Sequence, residues 1–426
     1  MVAQAANDYD VIIVGGGPAG TSAGVHLATR GARVLLVERE KFPRAKLCGE
    51  FISPECLGHF ARLGVLEEME SAGGTRVGET LFYARSGRRV SVPSAWFGKE
   101  STRANASATA ATTGALGLSR AAMDERLLRR ARASGVEVWE EAQSGGLLFA
   151  DGGRGAVCGV RVERQGEELE VRAAVTIDAT GRTRVLARRI EGVLKKNGGR
   201  KASARGVGGG AEPKRMPLVA FKAHLENAGG RTATGACEIY FYRGGYGGLS
   251  GVENGLSNLC FIVAARDVRA RASDAERVMR EIVMSNARAA ETLRGARVGS
   301  EWLAVALESF GRRELVPADG LLMVGDAASF IDPFTGSGML MALESGELAS
   351  EAIMRALPAL RAGGEFASLA ADYRARYQER FASRLRVCSW LRRAAFAPQF
   401  ATEAGIAALG ASERLRRALA RATRPA

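Results

Sequence analysis

Val11-Ile12-Ile13-Val14-Gly15-Gly16-Gly17-Pro18-Ala19-Gly20 joins an apolar run to a helix-compatible one through a G-x-G-x-x-G turn. Each glycine of that turn has its own task. Gly15 permits the tight turn, Gly17 lets backbone approach a pyrophosphate, and Gly20 lets the helix pack closely on the strand. Together with Ala19 they open a helix whose first N–H groups and partial positive charge suit an anion. Glycine-rich turns are common, so the context decides. Residues 9–14 read as a buried strand, 18–30 as a helix and 33–37 as a second strand, which makes a βαβ unit and a parallel sheet. Glu38 ends that second strand, 18 residues beyond Gly20. A carboxylate there accepts hydrogen bonds from both ribose hydroxyls and repels a 2′-phosphate. Arg39 follows it and is assigned to the same site. The turn thus implies a dinucleotide with an unphosphorylated adenosine ribose, FAD or NAD.

Composition sets wide bounds. The 426 residues are 46% hydrophobic and 25% charged, which excludes global disorder, and the length suggests two or three structural units. Lys and Arg outnumber Asp and Glu by 60 to 46, a formal net charge of +14. A solvated Arg-rich surface explains that excess as well as an anionic cofactor or membrane does. No run of like charge is long enough for a nucleic-acid tail, and no nucleic-acid partner is expected. Six cysteines without a C-x-x-C and only three histidines speak against a disulfide scaffold and against a metal site. The opening MVAQAANDYD lacks the features of a signal peptide, and 18 consecutive apolar residues occur nowhere. The expectation is a cytoplasmic protein.

Further along, helical patterning marks 54–63 and 120–133, and strands are expected at 136–139, 157–163, 168–172 and 175–177. Residues 76–92 read as a hairpin around Ser86-Gly87. A β-rich stretch follows at 218–225, 238–242 and 258–263, then a helix over 273–287, a strand at 321–324 and a helix near 338–357. Everything from 366 on is helix-like. Residues 99–113 and 191–215 are too poor in large apolar side chains to offset their ordering entropy, so both read as mobile loops.

Two later motifs choose the cofactor. Thr176-Ile177-Asp178-Ala179-Thr180-Gly181-Arg182 ends a strand in Asp-Ala-x-Gly. Leu321-Leu322-Met323-Val324-Gly325-Asp326-Ala327-Ala328 ends another in Gly-Asp-Ala, with Ile331-Asp332-Pro333-Phe334-Thr335-Gly336-Ser337-Gly338 after it. In order and spacing these three motifs resemble the FAD-dependent family of geranylgeranyl reductases, flavin-dependent halogenases and para-hydroxybenzoate hydroxylase-like monooxygenases, over residues 9–357. The resemblance implies an α/β fold. A Rossmann-type FAD-binding domain (1–75, 115–190 and 300–357) is interleaved with an antiparallel β-sheet substrate domain (76–114 and 216–299), and a helical region (358–426) follows. It also implies roles. Asp326 bonds the ribityl or pyrophosphate side of FAD, and the N–H groups of Gly338 and Met339 face the isoalloxazine ring. Asp178 and Gly181 line the loop beside the cofactor, and Arg120 contacts it. A helix N-terminus at the ring favours the negative charge of reduced flavin.

Lys41-Phe42-Pro43-Arg44-Ala45-Lys46-Leu47-Cys48-Gly49-Glu50 bears on the subfamily. Halogenases carry a similar stretch ending in Gly-Glu-Ser, whereas the reductases have a Cys-Gly pair. Cys48 and Gly49 therefore lean to the reductases, with Cys48 beside the flavin or acting as a proton donor; the alternative is a small buried apolar residue. The stretch 242–250 has neither the tryptophans of a halogenase nor the Trp-Phe-Pro pattern of lipid-reducing members, and Lys99 falls in an expected loop. Its glycines let backbone approach a ligand or bend the sheet. Alternation over 219–226 puts Lys222 and His224 on one face, where His224 is either a proton donor to the substrate or solvent-facing.

Two enzyme readings remain. One is hydride transfer from reduced FAD to a C=C bond of an apolar small molecule, and the other is hydroxylation of an apolar or aromatic compound with NAD(P)H and O2. A non-enzymatic prenyl-binding protein on the same fold fits poorly with an intact cofactor motif. No second G-x-G-x-x-G exists, so NAD(P)H would bind transiently, or a redox protein would deliver electrons. The Arg-rich C-terminal helices pack on the FAD domain, cover an apolar tunnel, or make peripheral contact with an anionic membrane.

Overall fold

The computed structural model describes residues 8–97, 114–150, 155–196, 217–229, 235–307 and 310–424. Its first layer is built on strand β1 (Tyr9–Val14), helix α1 (Pro18–Ala28) and strand β2 (Val34–Val37), the opening unit expected from the sequence. Glu137–Trp139, β2, β1, Glu167–Asp178 and Leu321–Met323 run parallel in that order. Val11, Ile12, Ile13, Leu35 and Leu36 are fully buried, as a parallel strand covered on both faces requires.

The three β pieces expected between 157 and 177 prove to be two strands. Glu167–Asp178 is a single twelve-residue strand. Its first half pairs antiparallel with Val157–Arg164, and its second half pairs parallel with β1. One strand thus carries an antiparallel meander on the edge of the parallel sheet and delivers the Asp178–Gly181 turn beside Gly15.

A second, eight-stranded sheet is antiparallel except where Ala236–Tyr242 runs parallel to Glu79–Tyr83. Its central member Gly245–Gly251 was not expected as a strand. The glycines there admit neighbouring chains rather than a bend: a Cβ on Gly245 would lie 1.9 Å from the Ile262 carbonyl oxygen. Alternation along Leu218–Glu226 holds. Phe221, Ala223 and Leu225 pack toward the helices at 275–293, while Ala220 faces the opposite cluster with Tyr246 and Ile262. The helix expected over 273–287 is broken into Ala275–Glu281 and Ala287–Leu293. Buried Asn286 interrupts it, because its amide donates to the carbonyls of Tyr83, Ala84 and Phe241 while its oxygen caps the second helix.

Gly338–Arg361 crosses α1 closely; a Cβ on Gly346 would meet the Ala19 carbonyl oxygen at 2.3 Å. The long helix Ala367–Ala395 drives Tyr373, Tyr377 and Phe381 into the same core, and Tyr373 donates to the Met323 carbonyl. Helices Gln399–Ala411 and Glu413–Ala422 then return over the second sheet. Residues 191–196 belong to the helix Val185–Lys196 rather than to a loop, and the rest of the expected 191–215 insertion, apart from residues up to 196, lies outside the described residues, as does 99–113.

Candidate functional site

The N-terminus of α1 is an open seat. Gly15 sits at φ +113°, and a Cβ on it would lie 2.4 Å from the Ala179 carbonyl oxygen. A Cβ on Gly20 would lie 2.0 Å from the Gly15 carbonyl oxygen, so Gly20 serves the packing of helix on strand and does not reach the cavity. Gly17 differs: its nearest neighbours would be the guanidinium ends of Arg120 at 3.9 Å and Arg44 at 4.0 Å. No side chain caps this helix, and its first turn holds no acid. Asp124, one turn into the helix Arg120–Ala133, aims both arginines, accepting from Arg120 at 2.6 and 2.8 Å and from Arg44 at 3.2 Å. Glu38 directly follows β2 and accepts from the Gly16 N–H at 2.7 Å, which fixes its carboxylate at the turn.

From this seat one cavity of about 620 Å3 runs to the second sheet. Gly15, Gly17, Ala19, Glu38, Arg39, Cys48, Gly49, Arg120, Gly181, Asp326, Gly338 and Met339 line it, so these expected cofactor residues converge from stretches at 15–19, 38–49, 120, 181 and 326–339. The helix Gly338–Arg361 starts in open space, with no acid in its first turn. Lys46 and Arg182 also line the cavity, and among the described residues neither has a carboxylate within ion-pair distance. Burial, and then Arg44 and Arg120, push the Lys46 ammonium down to about 8. Burial raises the Asp326 carboxyl, with Arg182 and Arg120 opposing it. Two under-compensated cations, an uncapped helix N-terminus and a partly buried acid match the diphosphate and ribityl hydroxyls of FAD.

Beyond this half the wall turns apolar. Phe51, Phe82, Ile239, Ile262, Leu307 and Phe334 line it, and Tyr246 donates to buried Asp332, tying the loop before Gly338 to the second sheet. The chain's far end closes one side: the Arg424 guanidinium donates to Ser337 Oγ and the Thr335 carbonyl and lies 4.2 Å over the Phe97 ring. A smaller cavity of about 200 Å3 adjoins at Asp326 and Phe330, and Arg182, Arg184, Arg188, Arg313 and Glu191 complete its lining.

Two more expected site residues, besides Gly20, do not line the cavity. The Asp178 carboxylate turns away from the cavity and accepts from Thr180 N and Oγ1 and from the N–H groups of Leu186 and Ala187. It caps the helix starting at Val185, while the residues after it, 179–183 together with Val185 and Arg189, reach the cavity. His224 does not line the cavity either; its Nε2 lies 2.6 Å from Glu50 Oε2, and Glu50 does line it. His26 and His59 pack around Glu347. The sequence reading missed Arg44, Lys46, Glu50, Asp124 and Lys222. The Arg120–Asp124 spacing of four was the available signal for one of them; Glu50 and Lys222 meet across 172 residues and left none.

A cavity so furnished belongs to a flavin enzyme: the cofactor is FAD, and the protein is an FAD-dependent oxidoreductase. The chain belongs to the FAD binding domain family, whose model matches residues 8–347. Digeranylgeranylglycerophospholipid reductase 2 of Methanopyrus kandleri is 28% identical over 380 residues, 88% of this chain and 83% of its own. The 1H-pyrrole-2-carbonyl-[peptidyl-carrier protein] chlorinase of Pseudomonas fluorescens is 24% identical over 368 residues, 82% of this chain and 77% of its own. Among solved structures, a geranylgeranyl bacteriochlorophyll reductase-like protein of Thermoplasma acidophilum shares the fold with a TM-score of 0.74 at 20% identity, covering 97% of this chain and 96% of that one.

Proposed function

We propose that this protein reduces a C=C bond in an isoprenoid-like apolar molecule. The observation that carries the reading is the continuity of one cavity from the α1 seat to an apolar, aromatic-walled lobe, with Cys48 and Gly49 on its wall. The reductase relative from Methanopyrus kandleri supports it. Bound and reduced, FAD supplies the hydride. The chain's part is to orient the alkene with apolar side chains, to exclude water, and to hold a proton donor at Cys48 Sγ. Gly15, Gly17, Glu38, Arg120 and Asp326 hold the cofactor, and Gly338 and Met339 present helix N–H groups to its ring. The four-arginine cavity beside Asp326 favours an anionic electron donor, NAD(P)H or an acidic redox protein.

No helix among the described residues is long and apolar enough to cross a membrane. Among the described residues, the exposed large apolar side chains are Trp390, Phe400 and Leu415, all in the C-terminal helices; those of Trp390 and Leu415 are Arg-rich. They support peripheral docking on an anionic bilayer, where a lipid substrate resides. The test of the activity is anaerobic mixing of the reduced protein with isoprenoid alkenes. Flavin reoxidation with loss of one double bond per flavin supports the reading. Substrate-dependent O2 consumption with a hydroxylated product replaces it by monooxygenation.

A further inference from the structure

Glu50 is buried, with 1% of its surface exposed, and sits at φ +53°, a left-handed conformation for a residue with a side chain. Its carboxylate is gripped from two sides. Oε1 accepts from the Arg120 backbone N–H at 2.8 Å and from the Lys222 ammonium, and Oε2 faces His224 Nε2 at 2.6 Å. Lys222 is itself buried and donates again to the Lys46 carbonyl at 3.3 Å. Asn258 donates to the Cys48 carbonyl at 3.1 Å, and the Glu50 N–H points at Cys48 Sγ at 3.4 Å. Backbone carbonyls 46 and 48 and side chain 50 of the cavity wall are thus each tied to the second sheet. Strained backbone persists only where its surroundings over-determine it, and a buried ion pair that loses one partner leaves an uncompensated charge.

The gripping residues share a place in the fold. His224 pairs with Asn258 and Lys222 with Cys260 across the antiparallel strands Leu218–Glu226 and Ser257–Ala264, and the next same-face pair is Ala220 with Ile262. Ala220, Cys260 and Ile262 line the apolar lobe, whereas Lys222, His224 and Asn258 do not reach the cavity. The two strands that line the lobe therefore also hold the Cys48–Gly49 wall.

We propose that Lys222, His224 and Asn258 are positioning residues that clamp the Cys48–Gly49 wall through Glu50 and the Cys48 carbonyl, and so transmit occupancy of the apolar lobe to the surroundings of the flavin. The proposal rests on the cofactor reading, in which Cys48 stands beside the bound FAD, and not on the reaction catalysed. None of the three touches substrate or cofactor; they act by setting where the wall stands.

The test uses the full-length, FAD-loaded protein with Lys222→Met, Lys222→Arg and His224→Ala. Three readouts need no turnover: the rate of Cys48 alkylation by iodoacetamide, located by mass spectrometry; the visible flavin bands; and the change in those bands on adding free geranylgeraniol. Lys222→Met and His224→Ala should keep FAD, label at Cys48 about tenfold faster as the wall opens, and lose the geranylgeraniol-induced band change. Lys222→Arg, which keeps the charge, should restore most of both. If Lys222→Met does not fold, His224→Ala at its partly exposed position carries the test. Wild-type labelling and an intact band change in FAD-loaded His224→Ala overturn the proposal. The expected labelling and band changes in a protein that reduces no alkene would support the clamp and refute the reductase reading instead.

Discussion

Gly17→Ala separates the cofactor seat from the fold. Gly17 has φ −75° and ψ −178°, extended backbone open to any residue, and an added methyl meets nothing nearer than the Arg120 and Arg44 guanidinium ends at 3.9 and 4.0 Å. The only folding cost is the poorer N-cap, about 0.5–1 kcal/mol. That methyl nevertheless fills the space between the helix N-terminus and the two guanidiniums, where the diphosphate belongs. Losing two charge-assisted hydrogen bonds at about 1.5 kcal/mol each gives about 3 kcal/mol, roughly a hundredfold in Kd. Gly20→Ala is the counterpart. Its methyl would lie 2.0 Å from the Gly15 carbonyl oxygen and 3.2 Å from Ala179 Cβ, so backbone must move. Overpacking of this kind costs about 1–3 kcal/mol or more of stability. Urea unfolding of the FAD-stripped proteins reads the first quantity, and quenching of FAD fluorescence on titration reads the second. Gly17→Ala should unfold close to wild type yet bind FAD weakly, while Gly20→Ala should lose stability before any FAD is added. Wild-type FAD affinity in Gly17→Ala would refute the placement of the diphosphate.

Lys46, at about 8 in the free protein, should impose a pH dependence on FAD binding. Its protonated form attracts the diphosphate, so affinity is complete below that value and falls by up to about tenfold per unit as pH rises above it; Lys46→Arg should abolish the slope in the same titration. Cys48→Ala should lower turnover while FAD stays bound, and unchanged turnover would return Cys48 to a packing role. Asp178→Ala removes the acceptor of four hydrogen bonds and a helix cap, so urea unfolding should show a loss of about 2–4 kcal/mol, with FAD affinity of the folded protein unchanged. Sedimentation with anionic vesicles at low salt should lose about tenfold or more for each of Trp390→Ser and Phe400→Ser, each removing an apolar side chain from the bilayer, and high salt should weaken the wild type as well; binding indifferent to these changes would exclude the C-terminal helices as the contact.

The opening βαβ unit was legible because its strands, its turn and its acid each carry their own local chemistry, and the glycines at 15 and 20 sit where neighbouring backbone leaves no room for a Cβ. The glycine-rich strand Gly245–Gly251 was not, since glycine at four of its seven positions hides any alternation, and what defines it is the approach of Ile262 and Phe261 from the next strand. The break at Asn286 was hidden in the same way: a polar residue inside a helical pattern gives no sign that three carbonyls from distant strands will claim its amide. The face carrying Lys222 and His224 was correctly separated from the one carrying Phe221, but its partner Glu50 lies far off in sequence and in a left-handed turn that no periodicity announces. Asp178 shows the reverse case, in which a motif brought the backbone to the site while a helix starting at Val185 turned the carboxylate away.

In the proposed reaction, reduced flavin passes its electrons to a carbon–carbon double bond. Anaerobic stopped-flow mixing of the reduced protein with geranylgeranyl lipids, with product mass followed in parallel, measures that directly. Return of the oxidised-flavin absorbance together with a two-hydrogen gain in product mass is the expected result. Flavin that stays reduced without O2, and reoxidises only when O2 is admitted with insertion of one oxygen atom into the substrate, would contradict it.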